Sequence, residues 1–164
     1  MARFFVTCIL LACTTLTHAF QNEPDGFRGI QWGAPIAENQ RELVLIENSR
    51  DWKYYGRKKD RMVFEGAELV ELAYGYYKGH FSAVLLATEG LESKRALLSA
   101  IQAKFGGGVK QPGKLDRYEW SGERTTIQLY CKSLHDRCSL VLRSTESDRA
   151  KTQASSTAGA APNL

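Results

Sequence analysis

The sequence predicts an α+β fold: a single domain with a mainly antiparallel sheet and one long helix packed on one face. Three observations carry that expectation. Strand-like segments precede and follow one stretch with helical spacing, whereas a parallel α/β sheet needs helices and strands in alternation. Residues 67–77 (AELVELAYGYY) alternate, with Val70, Leu72, Tyr74 and Tyr76 on one face, and pass through Lys78-Gly79 into the apolar run at 81–88. Strand, glycine turn and strand together are a hairpin signature. A second hairpin carries its own register: with Cys131 opposite Cys138, Leu129 faces Leu140 and Ile127 faces Leu142, all on one face. A slip of one residue would turn that apolar set outward.

In chain order, residues 27–32 (FRGIQW) read as a first strand, with Phe27, Gly29 and Gln31 on one face and Arg28, Ile30 and Trp32 on the other. Gly33-Ala34-Pro35 ends it, and Pro35 suits the first turn of a short helix over 36–41. Leu43-Val44-Leu45-Ile46 is a compact apolar run and reads as a buried strand. After the polar turn at 47–51, residues 52–56 form an aromatic strand and 57–61 (RKKDR) a charged bend. The first hairpin follows. Residues 93–105 form the helix, because Leu97, Leu98, Ile101 and Phe105 recur at helical spacing. Ser93 is the expected N-cap and Gly106 the left-handed C-cap. Strands over 116–121, 123–132 and 138–144 close the domain, with Gly122 turning between the first two.

The two ends read differently from the middle. Residues 1–19 (MARFFVTCILLACTTLTHA) have the order of a secretory signal peptide: Arg3, an apolar run, then Thr17-His18-Ala19 with small residues at the cleavage position. Cleavage after Ala19 predicts a periplasmic or secreted protein. Leu10-Leu11-Ala12-Cys13 also loosely matches a lipobox, which would instead lipidate Cys13 and anchor the protein to a membrane. No apolar run is long enough for a transmembrane span in the mature chain. Residues 147–164 are rich in Ala, Ser and Thr and read as a disordered tail, which leaves 20–146 as the α+β domain.

The chemistry-bearing residues are few. In an exported chain the pair Cys131 and Cys138 is read as a disulfide. His135 between them leaves C-x3-H-x2-C as a competing metal site that is short of a fourth ligand. After export only His80 and His135 remain as imidazole bases, and neither G-x-S-x-G nor H-E-x-x-H is present. Gly106-Gly107-Gly108 follows a helix, whereas a phosphate loop precedes one. No cofactor and no catalytic residue is indicated, and a non-enzymatic function is the expectation. The formal net charge of +4 falls by one with Arg3, too weak a balance to suggest nucleic acid. Arg57-Lys58-Lys59-Asp60-Arg61 reads as a solvated turn. The candidate binding residues are aromatic: Tyr54, Tyr55, Tyr74, Tyr76 and Tyr77. Tyrosines fall on both faces of one strand, so one face can present an aromatic patch to a protein or a cell-envelope glycan. Two other classes stay open: an envelope hydrolase using acidic residues, and an inhibitor of an exported hydrolase.

One further pattern runs through the chain. Asp25-Gly26-Phe27-Arg28-Gly29-Ile30-Gln31-Trp32-Gly33 is followed by Lys53-Tyr54-Tyr55, Gly66-Ala67-Glu68-Leu69, Tyr74-Gly75-Tyr76-Tyr77-Lys78-Gly79, Lys104-Phe105-Gly106 and Trp120-Ser121-Gly122. Spanning about residues 25–144, these segments resemble a family of small exported bacterial proteins of unknown function. The opening G-F-x-G-I-x-W-G segment is the most specific part. The resemblance implies an exported single domain and no particular catalytic residue, ligand or partner, and the cysteine pair lies outside its pattern.

Overall fold

The computed structural model describes residues 20–113, 116–132, 136–150 and 152. Its strands are β1 (Gly26–Phe27), β2 (Ile30–Gln31), β3 (Leu43–Ser49), β4 (Trp52–Arg57), β5 (Val63–Phe64), β6 (Ala67–Glu68), β7 (Glu71–Tyr77), β8 (His80–Thr88), β9 (Val109–Lys110), β10 (Asp116–Ser121), β11 (Thr125–Lys132) and β12 (Arg137–Ser144). One long helix, α1 (Leu91–Phe105), separates β8 from β9. Eight strands form one antiparallel sheet in the order β3-β4-β7-β8-β12-β11-β10-β9. The sheet is two meanders, β3 to β8 and β9 to β12, joined by α1 and meeting where β8 pairs with β12. The α+β class and the mainly antiparallel sheet read from the sequence are both present.

The second hairpin has the register its side chains dictate: Cys131 opposite Cys138, Leu129 opposite Leu140, Ile127 opposite Leu142. Cys131 and Cys138 are disulfide-bonded and both are buried. The alternation continues across the sheet, so Leu72 and Tyr74 of β7, Val84 and Leu86 of β8, and Trp120 of β10 share the same buried face. Leu97, Ile101 and Phe105 of α1 pack onto it, with Leu98 partly buried against it. The helix exit is shaped by Trp120, whose indole N–H donates to the Gly106 carbonyl at 2.9 Å. A Cβ on Gly108 would lie 2.6 Å from that ring, so this position takes glycine for lack of room.

Several expectations change in detail. Residues 27–32 are not one strand but the hairpin β1–β2, folded at Arg28-Gly29. Residues 67–77 break into β6 and β7, which leaves Val70 half exposed ahead of the buried Leu72, Tyr74 and Tyr76. The three tight turns Arg28-Gly29, Glu65-Gly66 and Lys78-Gly79 all place both residues at positive φ, the geometry that matches the twist of flanking strands. The short helix at 36–41 is a single 3-10 turn, Ile36–Glu38. α1 starts two residues before the expected Ser93, with Gly90 at its N-cap and Gly106 at positive φ beyond its end. The largest correction is β3. Leu43 is buried, but Val44, Leu45 and Ile46 are 50%, 51% and 62% exposed, because β3 is the outer strand of the sheet and not an inner one. At the other end, residues 145–150 are helical and Ser147 is buried, so the first part of the expected tail is ordered. The signal segment, Cys13, His135 and, apart from Thr152, the remainder of the tail lie outside the described residues.

A polar network fixes the small hairpins to the sheet. Arg28 donates to Asp60 Oδ1 at 2.5 Å and to the carbonyls of Arg61 and Val63 at 2.8 and 2.6 Å. The buried Tyr74 hydroxyl donates to Asp60 Oδ2 at 2.5 Å, and the Arg61 amide to Asp60 Oδ1. One carboxylate thus joins the β1–β2 turn, the β4–β5 connection and the middle of β7. Nearby, the buried Tyr76 hydroxyl has no hydrogen-bond partner among the described residues.

The two tyrosines are expected to respond oppositely to loss of the hydroxyl. Tyr74→Phe strips a donor from a charged acceptor and should cost about 1.5–3 kcal/mol in urea unfolding, whereas Tyr76→Phe removes an unpaired group and should be neutral or slightly stabilising. Burial pushes both phenols up, Tyr74 further through its bond to Asp60 and Tyr76 to about 12. A phenol that resists ionisation when folded contributes stability that is complete below its unfolded pKa of ~10 and is lost as pH rises through the folded value. Urea midpoints should therefore fall in the alkaline range, and fall less in the double phenylalanine variant. Replacing Cys131 and Cys138 together by alanine should lower stability by about 2.5 kcal/mol, the chain-entropy value for so short a loop.

Candidate binding surface

On the side of the sheet facing away from α1, the cross-strand register aligns Glu47, Tyr54, Gly75, Ala83 and Arg143 in one row over five strands. Gly75 and Ala83 carry almost no side chain, so larger groups lie down over them. The rings of Trp52 and Tyr54 stack at 5.7 Å with 9° between planes, and Tyr77 meets Trp52 at 5.3 Å. A Cβ on Gly75 would stand 3.0 Å from Tyr54 Cε1 and 3.2 Å from both Trp52 Cζ3 and Ala83 Cβ. The glycine is what lets the aromatic pavement sit on the backbone. Burial raises the Tyr54 phenol, the positive Arg143 at the end of its row opposes this, and Glu47 adds to it.

The pavement runs outward to the β3 edge. The Lys58 amide donates to the Glu42 carbonyl at 2.8 Å, which sets the phase of the β3–β4 ladder. Antiparallel pairs alternate between bonded and non-bonded. Val44, opposite Gly56, therefore turns its peptide groups inward, and Leu45, opposite Tyr55, turns its N–H and C=O outward. A register shift between Leu45 and Glu47 marks a bulge at Ile46, whose Cδ1 lies over Gly56. Cations flank this apolar strip in the sequence. Residues 41–61 hold seven basic and four acidic residues. Two of the acids are taken, Glu42 by Arg57 and Asp60 by Arg28.

The five sequence-predicted tyrosines separate. Tyr54 and Tyr77 stand half-buried on the pavement side. Tyr55, half-buried, points to the core side and meets Tyr76 edge-on at 5.5 Å. Tyr74 and Tyr76 are core residues at 0% and 1% exposure, which removes them from any exposed patch. Trp52 and the strip Val44-Leu45-Ile46 belong to the surface but were not singled out as binding residues. The flanking cations Arg41 and Lys58-Lys59 were the available signal, since charged residues commonly guard an edge strand. The predicted solvated turn at 57–61 is partly internal, with Asp60 largely buried. His80 is exposed beside the Lys78-Gly79 turn, and the described residues hold no cluster of metal-ligating side chains. Comparison with family models, curated proteins and solved structures finds no match for this chain.

The pavement makes one position sharply sensitive. Gly75→Ala should cost about 1–3 kcal/mol by overpacking. The same substitution should displace the indole of Trp52 and shift the tryptophan emission, while Gly107→Ala, with open space around it, should change neither.

Proposed function

We propose that the protein is an exported, non-enzymatic binding module of the bacterial cell envelope, and that it takes an extended segment of a partner polypeptide along β3. The observation that carries this reading is an edge strand with three consecutive exposed apolar residues and outward-facing peptide groups at Leu45. Added strands gain main-chain hydrogen bonds from such an edge and place alternate side chains on its two faces. A bilayer suits it less well, because open sheet edges are not tolerated in hydrocarbon. Self-pairing suits it less well too, because each copy would bring the excess cations of residues 41–61 against those of the other. An acidic partner strand answers both the apolar and the cationic features. Export rests on the character of residues 1–19 and on the family resemblance.

A second reading has one specific support. The alternative of a hydrolase using acidic residues would operate in a cavity of about 530 Å³ lined by Asp25, Glu123 and Glu146 with Trp32, Arg124 and Arg149.

The two separate by experiment. A photo-crosslinking residue placed at Ile46 in the native host is expected to give a discrete polypeptide adduct, lost in Leu45→Asp, with none from the same probe at Arg95 on the exposed side of α1. Equal labelling at both sites, or adducts only of glycan or lipid mass, would remove the strand-addition reading. Hydrolysis of envelope polymer by the purified protein, abolished in Glu123→Gln or Glu146→Gln, would establish the hydrolase instead.

A further inference from the structure

The sheet face that turns away from α1 changes character across its width. α1, the small hairpins and the 3-10 turn all pack on the core face. An antiparallel sheet with its other face in water carries polar side chains on that face. Over β10 and β11 this holds, with Arg117, Glu119, Thr126, Gln128 and Tyr130. From β3 to β12 it does not. Two residues along each strand from the row that joins Glu47 to Arg143, the register sets Val44 opposite Gly56, and Ala73, Leu85 and Val141 side by side. This second row is apolar from end to end. Its outermost member, Val44, is 50% exposed, and Leu85 and Val141 are half-buried.

Both rows are antisymmetric about β7. In the first, Glu47 and Arg143 stand at opposite ends, four strand spacings or about 19 Å apart. Neither forms an ion pair among the described residues. Between them the large Tyr54 and the small Ala83 flank Gly75. In the second row the order is reversed, with the small Gly56 on the β4 side of Ala73 and the large Leu85 on the β8 side. Such a surface is complementary to itself. A half-turn about an axis along β7, just above the face, brings β3 of a second copy over β12 of the first, and β4 over β8. Glu47 then meets the partner's Arg143, Tyr54 covers the partner's Ala83, Leu85 covers the partner's Gly56, and Val44 meets the partner's Val141. Gly75 and Ala73 lie on the axis, where neither copy has bulk to keep the sheets apart.

We infer that the protein is a homodimer in which two copies stack this face of their sheets about a two-fold axis along β7. The arrangement is isologous, the commonest form of soluble oligomer. An axis parallel to the strands gives aligned sheet packing, in which the two strand directions stay within about 30° of each other. The overlap from β3 to β12 is roughly 24 Å across and about 24 Å along the seven-residue strands, or about 600 Å² per copy before side-chain relief is counted. Stable interfaces take about 800 Å² per partner. The overlap ends at β12, and the polar part of the face on β10 and β11 stays in water. Since β3 lies over β12, the cations of residues 41–61 are not set against their own counterparts, as they would be if two β3 edges paired. The outward peptide groups of β3 remain free, so the dimer does not rest on the strand-addition reading.

The test is sedimentation equilibrium of the disulfide-intact protein with two charge reversals, alone and mixed. The parent is expected to sediment as a dimer. Glu47→Arg and Arg143→Glu each put like charges together at both ends of the first row and should weaken the dimer about tenfold or more. An equimolar mixture of the two variants should recover the parent's affinity, because every end contact in the mixed dimer again joins opposite charges. The double reversal in one chain should dimerise like the parent for the same reason. A parent that stays monomeric at ~100 µM would overturn the inference, whether the face is then covered by residues 153–164 or by a glycan. So would dimers that survive both single reversals, or single variants that stay apart when mixed.

Discussion

Eight strands at a spacing of about 4.8 Å make a sheet roughly 34 Å across. A fifteen-residue helix about 22 Å long and 10 Å wide covers well under half of one face. That shortage of cover shapes the rest of the molecule. α1 packs on β8 and the small β5–β6 hairpin, and the remaining core face over β7 and β8 is closed by β1–β2, by the segment around Trp32, and by the 3-10 turn. Phe27, Phe64, Tyr74, Tyr76 and Phe81 fill that space with rings, because two-residue strands supply too few side chains to fill it otherwise.

Such small hairpins have little stability of their own, and they are held by bonds that reach the sheet. Asp60 is the meeting point. Its carboxylate receives the Arg28 guanidinium and the Tyr74 hydroxyl, so the cover and the sheet share one charged group. Trp32 does similar work at the other margin, stacking on Phe81 at 4.9 Å and donating to Thr125 Oγ1 at 2.8 Å. Glu23 accepts from the amides of Arg124 and Thr125, which ties the start of the domain to the turn before β11. The cover is therefore a set of clips rather than a second layer. It leaves the outer strand β3 with little to shield Val44, Leu45 and Ile46.

The parts legible in the sequence are those with local rules. Period-two alternation located β11 and β12, and three facing apolar or cysteine pairs fixed their register; the Lys78-Gly79 turn and the α1 stripe were equally plain. The β3 edge is not legible in the sequence because a run of four apolar residues has no period, and its burial depends on whether a strand forms on its far side. The burial of Tyr74 and Tyr76 is hidden in the sequence for a related reason: alternation shows that tyrosines occupy both faces of β7 but not which face the helix and hairpins cover. The link among Arg28, Asp60 and Tyr74 spans positions 32 and 14 residues apart, and no spacing rule announces it.

The position of the disulfide has a consequence for how the chain acquires its structure. Cys131 and Cys138 are seven residues apart and cross-link a hairpin, a unit that forms within microseconds on its own. The seam between the two meanders is a different event, since it must bring Thr88 to Cys138 across the whole of α1, β9, β10 and β11. Oxidation can therefore lock β11 to β12 whether or not the first meander has docked. The bond records that β11 and β12 met correctly, and a fully oxidised chain can still have an open seam.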